Sequence, residues 1–226
     1  MNGTDGVNKR ERPEDKQRRD NGLDQAISLV QSNQYKKAHA FFSDFLNSNP
    51  ESSEAWLWYS RCLGNLKGIS AALVKSGKAG PATPQLKEDI QKLKQAGRHI
   101  KSGRIRRCPF CWAPMDRFAS RCHYCLAGLD MPSALKHDET KKVRTEVLID
   151  AVVRYSGFLV TEMNVKTVYY LCLAHCNLNQ AEEALAILEA ATRGNPGIKF
   201  LADQLDLVLQ HIDAGKAARG GDEGGR

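Results

Sequence analysis

The sequence contains no apolar run approaching the roughly 18 residues that a membrane-spanning helix requires. Its opening stretch, MNGTDGVNKRERPEDKQRRD, is charged where a secretory signal needs apolar residues, so the chain is expected to be soluble and cytoplasmic, with no membrane span. Also missing are a Gly-rich phosphate loop, a nucleophile elbow, a metalloprotease helix motif and any convincing acid/base pair. The expectation is therefore a protein that is not an enzyme. Aromatics are sparse at 7%, and an apolar fraction of 42% in 226 residues allows only a modest core in one or two domains. The seven cysteines are odd in number, and the chain is too long for a disulfide-stapled miniature, which argues against a secreted disulfide scaffold.

What is present is helical periodicity. Leu23, Ala26, Ile27 and Val30 recur at three- and four-residue spacing, as do Ala38, Phe41, Phe42, Phe45 and Leu46 after the polar break Ser32-Asn33. Pro50 ends the second helix, and Ser52 or Ser53 is placed to cap a third carrying Trp56, Tyr59 and Leu63. The design returns later: Val168, Leu171, Cys172 and His175 mark one helix, Asn177 to Gln180 the break, and Ala184, Ile187, Leu188 and Ala191 the next, with Pro196 as the stop. Phe200, Leu201, Leu205, Val208 and Leu209 form a closing helix.

The offsets Asn33, Tyr35, Ala38, Phe42, Phe45, Pro50 resemble the second half of a tetratricopeptide repeat, and Asn179, Ala181, Ala184, Leu188, Ala191, Pro196 fall on the same offsets. Asparagine stands at both breaks, where such repeats usually have glycine. The resemblance implies a mainly α fold of antiparallel helix-pair repeats that bind protein or peptide, with a capping helix over the last exposed face. Trp56, Tyr59 and Ser60 fit the first helix of a further repeat and Ala151, Tyr155 and Phe158 the second, which would be one unit if residues 67 to 142 were an insertion. Trp58 falls off the packing face and is the candidate groove contact.

Cys108-Pro-Phe-Cys111 and Cys122-His-Tyr-Cys125 are two knuckles whose spacing lets four thiolates converge on one ion. They resemble a zinc ribbon and, more distantly, a rubredoxin-like site. The implied cofactor is one structural zinc ion, with iron as the alternative, and the module would sit between the repeats. Glycine commonly follows each knuckle in such ribbons; here Trp112 and Leu126 do. His123 is a possible substitute ligand. Cys62, Cys172 and Cys176 read as core residues on amphipathic helices.

The organisation expected is a disordered tail over 1–20, tetratricopeptide-like helices over 21–66, a loop and basic polar helix over 67–107, the ribbon over 108–130, further helices with a cap over 143–213, and a disordered Gly-rich tail over 214–226. The net charge is +7, and eight Lys or Arg face only Glu88 and Asp89 between Lys87 and Arg107. Lys101, Arg104, Arg106 and Arg107 are therefore candidate contacts for nucleic acid or another anionic partner, with Phe110, Trp112, Phe118 and Tyr124 able either to stack on bases or to cover the metal. The leading functional expectation is an adaptor or scaffold that binds a partner protein, with the ribbon as a second surface. The alternatives are a nucleic-acid-binding factor and a rubredoxin-like iron redox protein.

Overall fold

In a computed structural model of the chain, the described residues are 13–80, 82–136, 143–161 and 164–220. They form ten helices and one two-stranded sheet, and the chain divides into two compact units, Met1–Lys94 and Gln95–Arg226.

The first unit contains α1 (Pro13–Gln31), α2 (Tyr35–Ser48), α3 (Ser53–Cys62), α4 (Leu66–Lys78) and most of α5 (Pro84–Gly97). From α1 to α4, each helix packs on the next. Their apolar stripes meet: Ala26 and Val30 of α1, Ala38, Phe42 and Leu46 of α2, Ala55 and Leu57 of α3, and Ile69, Ala72 and Leu73 of α4 are all buried. Complete burial of a side chain such as Phe42 contributes about 2–3 kcal/mol. Caps fix where helices begin. The Ser52 hydroxyl accepts from the Ala55 amide at 3.3 Å, and the Asn65 side-chain oxygen accepts from the Gly68 amide at 2.7 Å. The α3–α4 pair is further locked by a reciprocal bond: Ser53 Oγ donates to the Ser76 carbonyl at 2.7 Å, and Ser76 Oγ to the Ser53 carbonyl at 2.6 Å.

The second unit places β1 (Ile105–Arg107), β2 (Pro114–Asp116) and the short α6 (Met131–Leu135) ahead of α7 (Thr145–Thr161), α8 (Val165–Asn177), α9 (Ala181–Gly194) and α10 (Lys199–Gly220). Again, from α7 to α10, successive helices pack together, and α6 lies on α8 and α10. Leu148, Ala151, Leu171, Leu173, Ala184, Leu188, Leu201 and Val208 form the core.

The two units share one local design. α2 and α9 are each 14 residues long, and each follows an asparagine in left-handed backbone conformation, Asn33 at φ 60° and Asn179 at φ 59°. Each ends on an asparagine whose side-chain amide donates back into the last turn, Asn49 to Phe45 O at 2.9 Å and Asn195 to Ala191 O at 3.1 Å. Asparagine is the residue after glycine that tolerates this conformation, which is why it can stand at both breaks.

Several boundaries differ from those read off the sequence. α1 begins at Pro13 and so takes in part of the stretch 1–20 expected to be disordered; residues 1–12 lie outside the described residues. Its Glu, Lys, Gln and Arg residues are strong helix formers, and Pro13 suits a first helical turn. α10 likewise continues to Gly220 through the Ala-rich stretch AGKAARG, into the expected tail 214–226, of which 221–226 lie outside the described residues. Within 67–107, read as loop and polar helix, stands the whole of α4 beyond its first residue, buried through Ile69, Ala72, Leu73 and Ser76. α3 therefore pairs with the helix that follows it directly, and no insertion is needed to complete that pair.

Candidate metal centre

The β1–β2 hairpin is antiparallel, with Ile105 opposite Asp116, Arg106 opposite Met115 and Arg107 opposite Pro114. The first knuckle is its turn. Cys108 N–H donates to Ala113 O at 3.0 Å and Trp112 N–H to Cys108 O at 3.0 Å. The second knuckle repeats this: Cys122 N–H donates to Ala127 O at 2.9 Å and Leu126 N–H to Cys122 O at 2.9 Å. Both geometries require a left-handed residue after the second cysteine, and Trp112 (φ 56°) and Leu126 (φ 65°) adopt it without being glycine. A left-handed L-residue costs about 1–2 kcal/mol. Trp112 offsets this by packing, being buried under the Arg154 guanidinium, which lies 4.2 Å from its ring centroid.

The four cysteine side chains are buried, and their sulfurs all lie within 4.8 Å of one another. Cys108 and Cys125 Sγ are 3.7 Å apart, as are Cys111 and Cys122 Sγ. A tetrahedral ion with metal–sulfur bonds of about 2.3 Å has a sulfur–sulfur edge of about 3.8 Å, so the tetrad fits one ion of that size. The spacing is also far too long for disulfides. Burial pushes the Cys108 thiol well up, and hydrogen bonds among the cysteines push Cys125 up while drawing Cys122 well down as the sulfur that receives them. Four buried sulfurs cannot all ionise beside one another without a cation, so a metal ion taken up here would displace protons.

The knuckles are fastened to the helices of their own unit. Tyr155 OH donates to Pro109 O at 2.8 Å, and Arg154 Nη2 donates to Pro109 O at 3.0 Å and Phe110 O at 3.4 Å. Arg144 N–H donates to Cys125 O at 3.0 Å, and its guanidinium lies 4.8 Å from the Tyr124 ring centroid. Asn177, the last residue of α8, grips Gly128: it accepts from Gly128 N–H at 2.6 Å and donates to Gly128 O at 2.9 Å and to Leu173 O at 2.7 Å. Gly128 must be glycine here because an added Cβ would stand 2.5 Å from the Ala134 nitrogen. Sequence reasoning missed Arg144, Arg154, Tyr155 and Asn177. Asn177 read as part of a polar break, yet it is buried.

Among the aromatics, Phe110, Trp112 and Tyr124 are buried, whereas Phe118 is 72% exposed. His123 is exposed and stacks on His99 with centroids 3.8 Å apart, outside the sulfur cluster. Lys101, Arg104 and Arg106 are exposed, and Arg107 is half-buried. Trp58, in the other unit, is half-buried with the Arg61 guanidinium 4.2 Å from its ring centroid. Cys172 and Cys176 are buried; desolvation pushes the Cys176 thiol up to about 12, the opposite of an activated nucleophile. His175 instead shares a hydrogen bond with Gln180 at 2.9 Å.

The geometry defines a mainly α protein with a four-cysteine cluster that can hold a metal ion, and no helix of the described residues is long and apolar enough to cross a membrane. No protein-family profile, curated protein or solved structure matches the chain.

Proposed function

We propose that the chain is a non-enzymatic adaptor, in which tetratricopeptide-like helix pairs bind a partner protein and one structural zinc ion holds a ribbon-like module in place. The observation that carries this reading is the way the cysteine cluster is built. Four buried sulfurs fill a tetrahedral coordination shell, leaving no position for water or substrate, and α7 and α8 bond directly to the knuckle backbone. The residues present would hold the ion through Cys108, Cys111, Cys122 and Cys125, and its chemistry there is cross-linking. Tyr155, Arg154 and Asn177 orient the knuckles, as outer partners of metal ligands do.

The matching Asn33 and Asn179 breaks, with 14-residue helices behind them, support the repeat reading. Stacked pairs of this kind present side chains of successive helices along one surface, and the half-buried Trp58, backed by the buried Arg61 guanidinium, is the aromatic anchor for a peptide in this reading. The test is affinity capture of the tagged full chain from its native cells, with and without nuclease, in parallel with Trp58→Ala. A protein retained after nuclease and lost on Trp58→Ala supports the adaptor. Loss of every retained protein on nuclease treatment overturns it.

A further inference from the structure

The hairpin that carries the first knuckle presents an arrangement that its metal does not need. Three of the four aromatics near the cysteines are buried, but Phe118 stands 72% exposed just beyond β2. It is held there by the Asp116 carboxylate: Oδ1 accepts from Phe118 N–H at 3.0 Å, while Oδ2 accepts from Lys101 N–H at 2.9 Å and Ser102 N–H at 2.7 Å. The only acidic residue between Arg98 and Arg121 is thus spent on backbone amides, and those bonds hold it ionised far below the usual carboxylate range. The exposed cations Lys101, Arg104, Arg106 and Arg117 outnumber that single negative charge four to one. Arg117 N–H bonds Arg104 O at 2.9 Å, so these two exposed arginines flank the hairpin as a pair, and Arg106 donates to Ala119 O at 2.5 Å beside the ring. Among the described residues no carboxylate forms an ion pair with Lys101, Arg104, Arg106 or Arg117.

We propose that Phe118, Lys101, Arg104, Arg106 and Arg117 form a binding surface for single-stranded nucleic acid, the ring stacking on an unpaired base and the four cations contacting its phosphates. With its backbone already fixed, the ring has only two side-chain torsions to order on stacking, and a π-face accepts any base, so the surface is sequence-tolerant. Duplexes hide their base faces, which places single strands first. A lipid surface is disfavoured because Phe118 is the one large apolar side chain that the hairpin exposes among the described residues. This site stands apart from the protein-binding reading and neither requires nor excludes it.

The experiment is fluorescence anisotropy of the metal-loaded full chain with labelled 12-mers of uridine and of thymidine, against a duplex of equal length. Saturable binding of the single strands, weaker on the duplex, is expected. The slope of log K against log salt should be about −3 for four phosphate contacts, and about 0.7 shallower after Arg104→Gln. Phe118→Ala should weaken binding about 10-fold while Phe118→Trp retains it; thermal melting of each variant shows that the fold is intact. The proposal fails if no saturable binding occurs at 50 mM salt, or if Phe118→Ala binds as tightly as the parent chain. Equal competition by an oligoglutamate peptide or by phosphatidylserine vesicles would also overturn it, since that pattern is charge attraction alone.

Discussion

Replacing Asn177 with alanine tests whether the cysteine cluster and the helices are one mechanical object. Asn177 is 7% exposed, and its side chain makes three hydrogen bonds, two to the Gly128 backbone and one to Leu173 O. Alanine removes all three and strands the buried Gly128 N–H and C=O, each of which then costs about 1–3 kcal/mol. The expected loss is about 3–5 kcal/mol, a large part of the stability of a domain of this size. Gly128 lies three residues beyond Cys125, so the second knuckle should also lose its alignment, and zinc affinity should fall about 10- to 100-fold. Urea unfolding of the metal-loaded chain measures the first quantity, and competition with a chromophoric chelator the second. Asn177→Asp is the sharper comparison, because it can still accept from Gly128 N–H but repels Gly128 O. A loss below about 1 kcal/mol with unchanged metal affinity would refute the coupling and leave the grip on Gly128 as incidental.

Other outcomes follow from the same structure. Metal analysis of purified protein should give one zinc per chain and a colourless solution, and Cys111→Ser together with Cys122→Ser should abolish retention; a red protein would assign iron. Burial pushes Tyr155 up to about 12, and its folded form is therefore the neutral one, so stability holds below pH about 10 and is lost as pH rises towards 12. Tyr155→Phe should remove about 2–3 kcal/mol of that alkaline loss in urea melts between pH 9 and 12, while costing about 1 kcal/mol at neutral pH from the lost bond to Pro109 O. Asn33→Ala and Asn179→Ala should each cost about 1 kcal/mol in thermal melts, because alanine resists φ near 60°, whereas glycine at either position should be tolerated.

The tetrad was legible because its ligands lie close in sequence, and the two helix breaks were legible because asparagine at fixed offsets has a backbone reason to be there. What was not legible depended on distance. Asn177 meets Gly128 across 49 residues, and Tyr155 meets Pro109 across 46, so nothing local distinguishes either from a surface polar residue or an ordinary packing tyrosine. α4 carried its apolar period, but Gly68, Ser70, Ser76 and Gly77 masked it, and its helix is held by packing on α3 more than by propensity. The aromatics near the cysteines were visible as a group, yet only their side-chain directions separate the buried Phe110 from the exposed Phe118.

The grip of α8 on the second knuckle also bears on the order of events during synthesis. Asn177 is translated about 50 residues after Cys125, which at roughly 5–20 residues per second is an interval of several seconds. During that interval all four sulfurs exist and the α8 clasp on Gly128 does not. An ion captured then would close the knuckles first and leave Gly128 presented as a ready-made seat, so the nascent helix arrives at a template rather than searching for one. Metal starvation would accordingly act on newborn chains far more severely than on finished ones, in which the clasp is already shut.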